Sequence, residues 1–234
     1  RDGELIFCAS ESLTRILDRK IPLGDKKRSA LVWLINEELN SIFRSIPPIT
    51  ETLKLGYLTR IDYATREALR PPLAIERALM VDASNFEPEG DECDSVLLAE
   101  AYRLGWRNFV VFDLRGQRFE GCGFGPMTEG VRIDMYGSSG DYVGSGIDGM
   151  EIHIHGNAQD QIGQIMKRGT LVIHGDVGQC FMYGAKGGAV YVLGNAAGRP
   201  LINAAGKPRV IINGTALDYL AESFMAGDPL NGGG

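Results

Sequence analysis

The stretch Glu151-Ile152-His153-Ile154-His155-Gly156 alternates polar side chains with isoleucine and ends on a glycine. An alternation with a period of two residues predicts a β-strand with one apolar face. The pattern recurs along the second half of the chain, where a glycine closes each apolar run at spacings of 21, 19, 19, 19 and 20 residues. The closing glycines are Gly116, Gly137, Gly156, Gly175, Gly194 and Gly214. A fixed period of about 20 residues predicts a repeat architecture.

Large apolar residues stand two and four positions before each closing glycine. The pairs are Phe112/Leu114, Ile133/Met135, Ile152/Ile154, Leu171/Ile173, Val190/Val192 and Val210/Ile212. Short strands separated by glycine corners at positive φ, with no segment of helix length, fit a parallel β-helix. The predicted fold class is mainly β: a single-stranded right-handed parallel β-helix, a solenoid of about six rungs of ~19 residues, preceded by a mostly helical α/β N-terminal region.

The first half of the chain is poor in glycine, since five of the 31 glycines precede residue 106. Apolar spacing and proline positions predict helices over residues 26–45, 50–69 and 94–104. Strands are predicted over residues 3–9, 79–82 and 108–113, and the last of these enters the repeat. The predicted domains are a mixed α/β region over 1–78, an α/β lead-in and cap over 79–113, and the repeat domain over 114–234.

Composition excludes several classes of function. The chain has 234 residues and a formal net charge of −6, which argues against a nucleic-acid partner. The sequence contains no run of 18 apolar residues, so no membrane span is predicted. Four scattered cysteines without a C-x-x-C pair indicate reduced thiols in a cytoplasmic protein rather than a zinc or iron–sulfur site. Because the chain begins at Arg1 and ends in three glycines, we expect it to be part of a longer protein.

Two glycine-rich stretches, residues 121–125 (GCGFG) and 144–146 (GSG), resemble phosphate-binding loops. Such a loop needs a following helix whose N-terminus binds the anion. Further strand pattern follows here instead, so tight corners are the favoured interpretation.

All three histidines fall in adjacent repeats and alternate with the inward apolar residues. His153, His155 and His174 should therefore lie on one outer face, with His155 and His174 as neighbours about 5 Å apart. A metal site formed by the three is one interpretation. A polar patch at a domain or subunit contact is the other, and it is the favoured one.

In later repeats the corresponding outer positions are apolar. They carry Val172, Tyr191, Leu193 and Ile211. An apolar outer surface implies a covering element, either the N-terminal helices or a partner. Together with His153, His155 and His174, these four residues form the predicted contact face.

The sequence offers no nucleophile–base pair, and we predict no catalytic, cofactor-binding or metal-ligating residue. Asp141, Asp160 and Asp218 recur four residues after their glycines. Acid–base chemistry is one use of such carboxylates. Recurrence at one repeat position favours a simpler role, in which each aspartate accepts hydrogen bonds from corner amides.

The repeat segments resemble the G-x-G-x-G domain of the glutamate synthase large subunit, in the stand-alone form called glutamate synthase domain 3. The segments that carry the resemblance are residues 137–144 (GSSGDYVG), 155–160 (HGNAQD) and 173–178 (IHGDVG), with the lead-in at 81–83 and 114–119 and the tail at 213–227. The resemblance covers roughly residues 79–227. The C subunit of formylmethanofuran dehydrogenase has a similar repeat and is the alternative. Residues 2–12 weakly resemble class II glutamine amidotransferases, so residues 1–78 are interpreted as the tail of an amidotransferase-like domain.

The resemblance implies a role without chemistry on this chain. In glutamate synthases, an amidotransferase domain releases ammonia from glutamine, a flavin and iron–sulfur barrel makes glutamate from 2-oxoglutarate, and the repeat domain holds them together. We therefore expect a non-catalytic scaffold in an oxidoreductase family of glutamate biosynthesis and nitrogen metabolism. Its expected partners are amidotransferase and flavin/iron–sulfur synthase domains or subunits, which carry FMN and the iron–sulfur cluster. The sequence does not decide whether several copies of this chain form a homo-oligomer.

An enzyme of its own, such as a β-helix polysaccharide lyase or an acyltransferase, is the second alternative. A lyase needs Asp and Arg clustered on one outer sheet, whereas here Asp113, Arg115 and Asp134 occur at the first two repeats alone. Hexapeptide acyltransferases need a six-residue period, which is missing.

Overall fold

The computed structural model describes residues 2–19, 22–25, 27–51 and 56–225. Within these residues eight strands form one all-parallel sheet, in which each strand pairs with the next along the chain. The strands are β1 (Leu58–Asp62), β2 (Ala78–Asp82), β3 (Asn108–Arg115), β4 (Arg132–Ser138), β5 (Asp148–Ile154), β6 (Arg168–Ile173), β7 (Ala189–Val192) and β8 (Arg209–Ile212). The helices are α1 (Asp2–Asp18), α2 (Arg28–Arg44) and α3 (Asp94–Arg103), with 3-10 helices at Tyr63–Ala68 and Ala83–Asn85.

The predicted fold class is wrong. The chain is 23% helical and 24% strand, and its one sheet is entirely parallel, which is an α/β fold and not a mainly-β parallel β-helix solenoid of six rungs. The prediction rested on the glycine pattern, which is confined to the second half of the chain. Three helices and two strands of the same sheet precede that pattern.

The predicted apolar register is present from β4 onward. Two inward lines of side chains run across the sheet, one through Ile133, Ile152, Leu171, Val190 and Val210, the other through Met135, Ile154, Ile173, Val192 and Ile212. The first copy differs, because Phe109 and Val111 pair with Ile133 and Met135 in place of the predicted Phe112 and Leu114. A bulge in β3, with Asp113 at a φ of 54°, shifts the register there.

The closing glycines are needed for two different reasons. Gly116 and Gly137 have the expected positive φ of 98° and 112°, whereas the other four do not. Those four lie against the backbone of the preceding repeat: a Cβ on Gly175 would be 2.6 Å from the carbonyl oxygen of Gly156. The Gly175 amide donates to that same oxygen at 2.9 Å, and Gly194 and Gly214 continue the ladder. Close approach, rather than backbone conformation, excludes a side chain at these positions.

A ladder of side-chain oxygens runs beside the glycines. Asp141 Oδ1 accepts from the Asp160 amide at 3.0 Å, and Asp160 Oδ1 accepts from the Gln179 amide at 2.7 Å. These bonds confirm the predicted role of both aspartates. Asn157, Asp176 and Asn195 accept in the same way from amides 19 or 20 residues further along. Each bond therefore ties one repeat to the next.

Two apolar cores lie on the two faces of the sheet. The larger one contains the inward lines and the buried side of α3. The smaller one lies under α1 and α2, where Leu39 and Phe43 pack on Met80, Phe112 and Tyr136. The Phe43 ring lies 5.3 Å from that of Phe112 and 5.1 Å from that of Tyr136. The two helices thus cover the outer face of the first half of the sheet.

The predicted N-terminal elements have mixed outcomes. The helices over 26–45 and 94–104 and the strands over 79–82 and 108–113 are confirmed by α2, α3, β2 and β3. The strand over 3–9 is wrong, since these residues belong to α1, and a short apolar run does not distinguish the two periods. The helix over 50–69 is wrong where described, because it contains β1 and a 3-10 helix; residues 52–55 lie outside the described residues. The division at residues 78 and 113 stays a prediction.

Candidate interaction face and histidine cluster

The outward line of side chains becomes apolar beyond β5. It runs from His153 on β5 through Val172 and Tyr191 to Ile211, and each residue pairs with the next. Neither apolar core of the described residues includes Val172, Tyr191 or Ile211. Ile211 is 50% exposed, and Val172 and Tyr191 are half-buried. The helices that cover the first half of the sheet therefore leave an apolar strip beside it.

Leu193 lies in the second outward line, which begins with His155 and His174. Its amide donates to the carbonyl of Ile173 at 2.9 Å, in the same way that the His174 amide donates to Ile154. Leu193 is half-buried. All seven residues of the predicted contact face thus lie on or directly after β5–β8 on one side of the sheet, and their role as a contact stays a prediction.

The predicted neighbours His155 and His174 are stacked, with ring centroids 4.9 Å apart. Tyr136 stacks on the other side of His155 at 4.5 Å. His153 lies beside them and contacts Glu151, with 2.5 Å between Nε2 and Oε1. The outward direction and the spacing predicted for the histidines are both confirmed.

His155 lies between two carboxylates. Its Nδ1 is 3.1 Å from both oxygens of Asp18, and its Nε2 is 3.1 Å from Asp134 Oδ1. Burial alone would lower the pKa of His155, but the hydrogen bonds and charges of Asp134 and Asp18 outweigh it and raise the pKa. Asp134 is in turn held by Arg132 at 2.7 and 2.8 Å. Despite its burial, the pKa of Asp134 is lowered by His155 and Arg132.

His174 is in a different electrostatic state. Its Nδ1 lies 3.4 Å from Asp18 Oδ1, but both ring nitrogens are buried and neither makes a hydrogen bond to the described residues. Burial lowers the pKa of His174 to about 4, against the opposing charge of Asp18. The ring is therefore neutral near pH 7, so the 3.4 Å contact is not an ion pair of the usual kind.

Sequence reasoning missed Asp18 altogether. This residue ends α1 and is 137 positions before His155, so no local pattern links the two. Asp134 lies one repeat before His155, and its carboxylate reaches the His155 ring. Asp18, His155 and His174 offer ligand atoms that all lie within 4.8 Å of one another, so these three residues can hold a metal ion.

A pair of buried carboxyl groups lies on the other side of the sheet. Asp94, the first residue of α3, and Glu120 are both fully buried. By geometry neither has a hydrogen-bond partner among the described residues, although amides at the start of α3 offset part of the burial of Asp94. Burial raises the pKa of Asp94 to about 7, and burial together with the Asp94 charge raises that of Glu120 well above its ordinary value.

The glycine-rich stretches line a small cavity of about 150 Å³ that includes Gly121, Gly125 and Gly146. The next regular elements along the chain are β4 and β5, so neither stretch leads into a helix, as the corner interpretation predicts. Burial raises the pKa of the neighbouring Cys122 to about 12, which makes its thiol a poor nucleophile. The two stretches thus lack the following helix of a phosphate-binding loop, and the thiol beside the cavity is not activated.

A comparison with known protein families identifies the family to which the repeat segment belongs. A family sequence model described as "GXGXG motif" matches residues 113–229, which is half of the chain. The chain belongs to the GXGXG motif family. This family is found in glutamate synthase-like proteins, in agreement with the resemblance seen in the sequence. The match does not show the alternative relation of this GXGXG chain to formylmethanofuran dehydrogenase. No curated protein and no solved structure matches the chain.

The helices of the GXGXG chain were also compared with the dimensions of a bilayer. Within the described ranges, no helix is long and apolar enough to cross a membrane. The cytoplasmic location stays a prediction.

Proposed function

We propose that this GXGXG chain is a non-catalytic scaffold of a glutamate-synthase-like assembly. It holds a glutamine amidotransferase and a flavin and iron–sulfur synthase, as domains or as subunits, and these partners carry FMN and the cluster. The observation that carries the proposal is the apolar strip Val172, Tyr191 and Ile211, which belongs to neither apolar core of the described residues. The family match supports a glutamate-synthase-like assembly, because this family is found in glutamate synthase-like proteins.

The size of the exposed surface supports a partner at this end of the sheet. A stable interface needs about 800 Å² on each side, which three side chains do not provide. Large apolar residues of the last described repeat, at the β8 end of the sheet, are also 50–60% exposed: Ile211, Leu217, Tyr219, Leu220 and Met225. Tyrosine and methionine are enriched at the centres of protein interfaces.

The titratable groups of the described residues support a role without catalysis. The carboxyls of Asp94 and Glu120 are sealed from solvent, and the thiol of Cys122 is deactivated by burial. His155 is buried between two carboxylates, out of reach of a substrate. A scaffold needs none of these groups at its surface, whereas an enzyme site does.

The double substitution Tyr191→Asp/Ile211→Asp tests the contact face. Two carboxylates in an apolar interface are expected to weaken binding of the flavin-bearing partner at least tenfold, because each would be buried without a counter-charge. Affinity is measured by titrating the purified partner against the full-length variant, with circular dichroism as the check on folding.

Met127→Asp is the matched control, since Met127 is 76% exposed and lies between β3 and β4, away from the strip. It should bind the partner as the wild type does. Unchanged affinity in the folded double variant would show that the strip is not the contact face.

A further inference from the structure

We propose that Asp18, His155 and His174 bind one divalent transition-metal ion, best matched by Zn²⁺, which fastens the C-terminal end of α1 to the sheet. The three residues come from three elements: the end of α1 and the positions directly after β5 and β6. An ion at this point would link residues that are 137 and 156 positions apart in the sequence.

The distances agree with ligation. Nδ1 of His155 is 3.1 Å from both Asp18 oxygens, and Nδ1 of His174 is 3.4 Å from Asp18 Oδ1. Two ligand atoms that are each 2.0–2.1 Å from a tetrahedral ion lie about 3.3 Å apart. All three ligand atoms lie within 4.8 Å of one another, so small side-chain rotations complete the site.

A second layer of groups orients His155 for this role. Histidines that bind metals usually donate the other ring N–H to a carboxylate, which fixes the tautomer. Here Nε2 of His155 faces Asp134 Oδ1 at 3.1 Å, and Arg132 holds both oxygens of Asp134. With its proton on Nε2, a neutral His155 directs the lone pair of Nδ1 at Asp18. This lone pair and the negatively charged carboxylate repel each other. A cation between Nδ1 and the Asp18 carboxylate would attract both.

His174 supplies the independent observation. Both of its ring nitrogens are buried without a hydrogen bond to the described residues, and an unsatisfied buried polar atom is unfavourable. A protonated His155 between Asp18 and Asp134 would account for those two carboxylates but would leave His174 unsatisfied. Metal ligation gives Nδ1 of His174 a partner.

The donor set identifies the class of ion. Two imidazole nitrogens and one carboxylate suit Zn²⁺ and the neighbouring first-row ions, whereas Ca²⁺ and Mg²⁺ require mainly oxygen ligands. Three protein ligands leave a fourth position for water. Tyr136 and the buried side of α1 exclude bulk solvent from one side, since Tyr136 is buried and its hydroxyl pairs with Thr14 at 2.9 Å.

The test uses the full-length protein after treatment with a chelator and dialysis. Zn²⁺ alone is added, and bound metal per chain and the thermal midpoint are measured. We expect one ion per chain and a rise in the midpoint of about 5–10 °C at a hundredfold excess over the dissociation constant. No stoichiometric binding, or binding without a rise in the midpoint, would overturn the proposal and leave His155 as a protonated link between the two aspartates.

Two neighbouring histidines provide the matched variants. His174→Gln removes a ligand without adding charge and is expected to weaken Zn²⁺ binding at least tenfold. His153→Gln, which changes the histidine that contacts Glu151, should bind Zn²⁺ as the wild type does. Equal effects of both variants would overturn the assignment. Asp18→Asn removes the ligand on α1 and tests the same set if His174→Gln does not fold.

Discussion

Glu120→Gln is expected to raise the free energy of unfolding at pH 8 by more than the roughly 0.5 kcal/mol typical of a surface substitution. Glu120 is fully buried beside Asp94, and its pKa is raised in the folded state by burial and by the Asp94 charge. Above pH 4, the unfolded chain releases this proton while the folded chain must retain it, at a cost of about 1.4 kcal/mol per pH unit. Glutamine has no proton to retain, although its new amide donors offset part of the gain.

The sign of the pH dependence follows from the same shift. The carboxyl has a higher pKa in the folded chain than in the unfolded chain. Its contribution to the free energy of unfolding is therefore fully present below about pH 4 and is lost as the pH rises toward the folded pKa. For Asp94 that folded pKa is about 7. The gain in unfolding free energy of Glu120→Gln over the wild type should therefore be smallest near pH 4, where only the cost of the new amide donors is left, and should grow toward pH 8. Chemical denaturation at several pH values measures it.

Glu100→Gln is the matched control, because Glu100 is exposed on α3. Its effect should stay within about 0.5 kcal/mol at every pH. A Glu120→Gln variant that is less stable than the wild type at pH 8 would contradict the account. That result would mean that the ionised carboxylate has a counter-charge.

Gly175→Ala is expected to lower the free energy of unfolding by about 2–4 kcal/mol. The added Cβ would lie 2.6 Å from the Gly156 carbonyl oxygen and 2.2 Å from Asn157 Oδ1, both well inside contact distance. Asn157 Oδ1 also accepts the Asp176 amide, so the clash disturbs both ladders that join these repeats. Equilibrium unfolding in urea measures the loss.

Gly146→Ala is the control for Gly175→Ala. It distinguishes the effect of a close contact from the effect of backbone strain. Gly146 has a positive φ of 73°, but a Cβ there would meet nothing within 4 Å. The control should therefore lose about 1 kcal/mol, the usual effect of a left-handed alanine. If Gly175→Ala were no less stable than Gly146→Ala, the tight contact between successive glycines would be unsupported.

The sequence predicted the repeat register because side chains with one role recur at one position. Ile152, Leu171 and Val190 pair in line as expected, since a strand presents every second residue to the same core. The prediction failed at β3, where Phe109 rather than Phe112 pairs with Ile133 and a bulge at Asp113 changes the pairing offset by one residue. No periodic signal marks a bulge, because it is a single departure from the period.

The prediction of the fold class was wrong for a related reason. A repeat dominates any search for periodicity, so the second half of the chain set the class for the whole. The contribution of α1 and of β1 to the same fold depends on contacts between distant residues. One such contact joins the hydroxyls of Thr14 and Tyr136, 122 positions apart.

The sequence predicted the two histidines of the cluster but not its carboxylate. The proximity of His155 and His174 follows from their equal repeat positions, and the structure confirms it. The carboxylate that completes the cluster, Asp18, comes from the end of a helix whose position no local pattern specifies. The burial of Asp94 at the start of α3 was missed as well, because the pattern of a helix start favours aspartate whether or not it is buried.

The most direct test of the scaffold account is native purification of the full-length protein, with the mass and the flavin and iron–sulfur absorbance of the recovered complex as the readout. The account predicts a complex of defined stoichiometry that contains a flavin and iron–sulfur protein and that is lost with Tyr191→Asp/Ile211→Asp. A colourless chain that elutes alone, or a complex with a molybdenum or tungsten enzyme in place of the flavin protein, would contradict it.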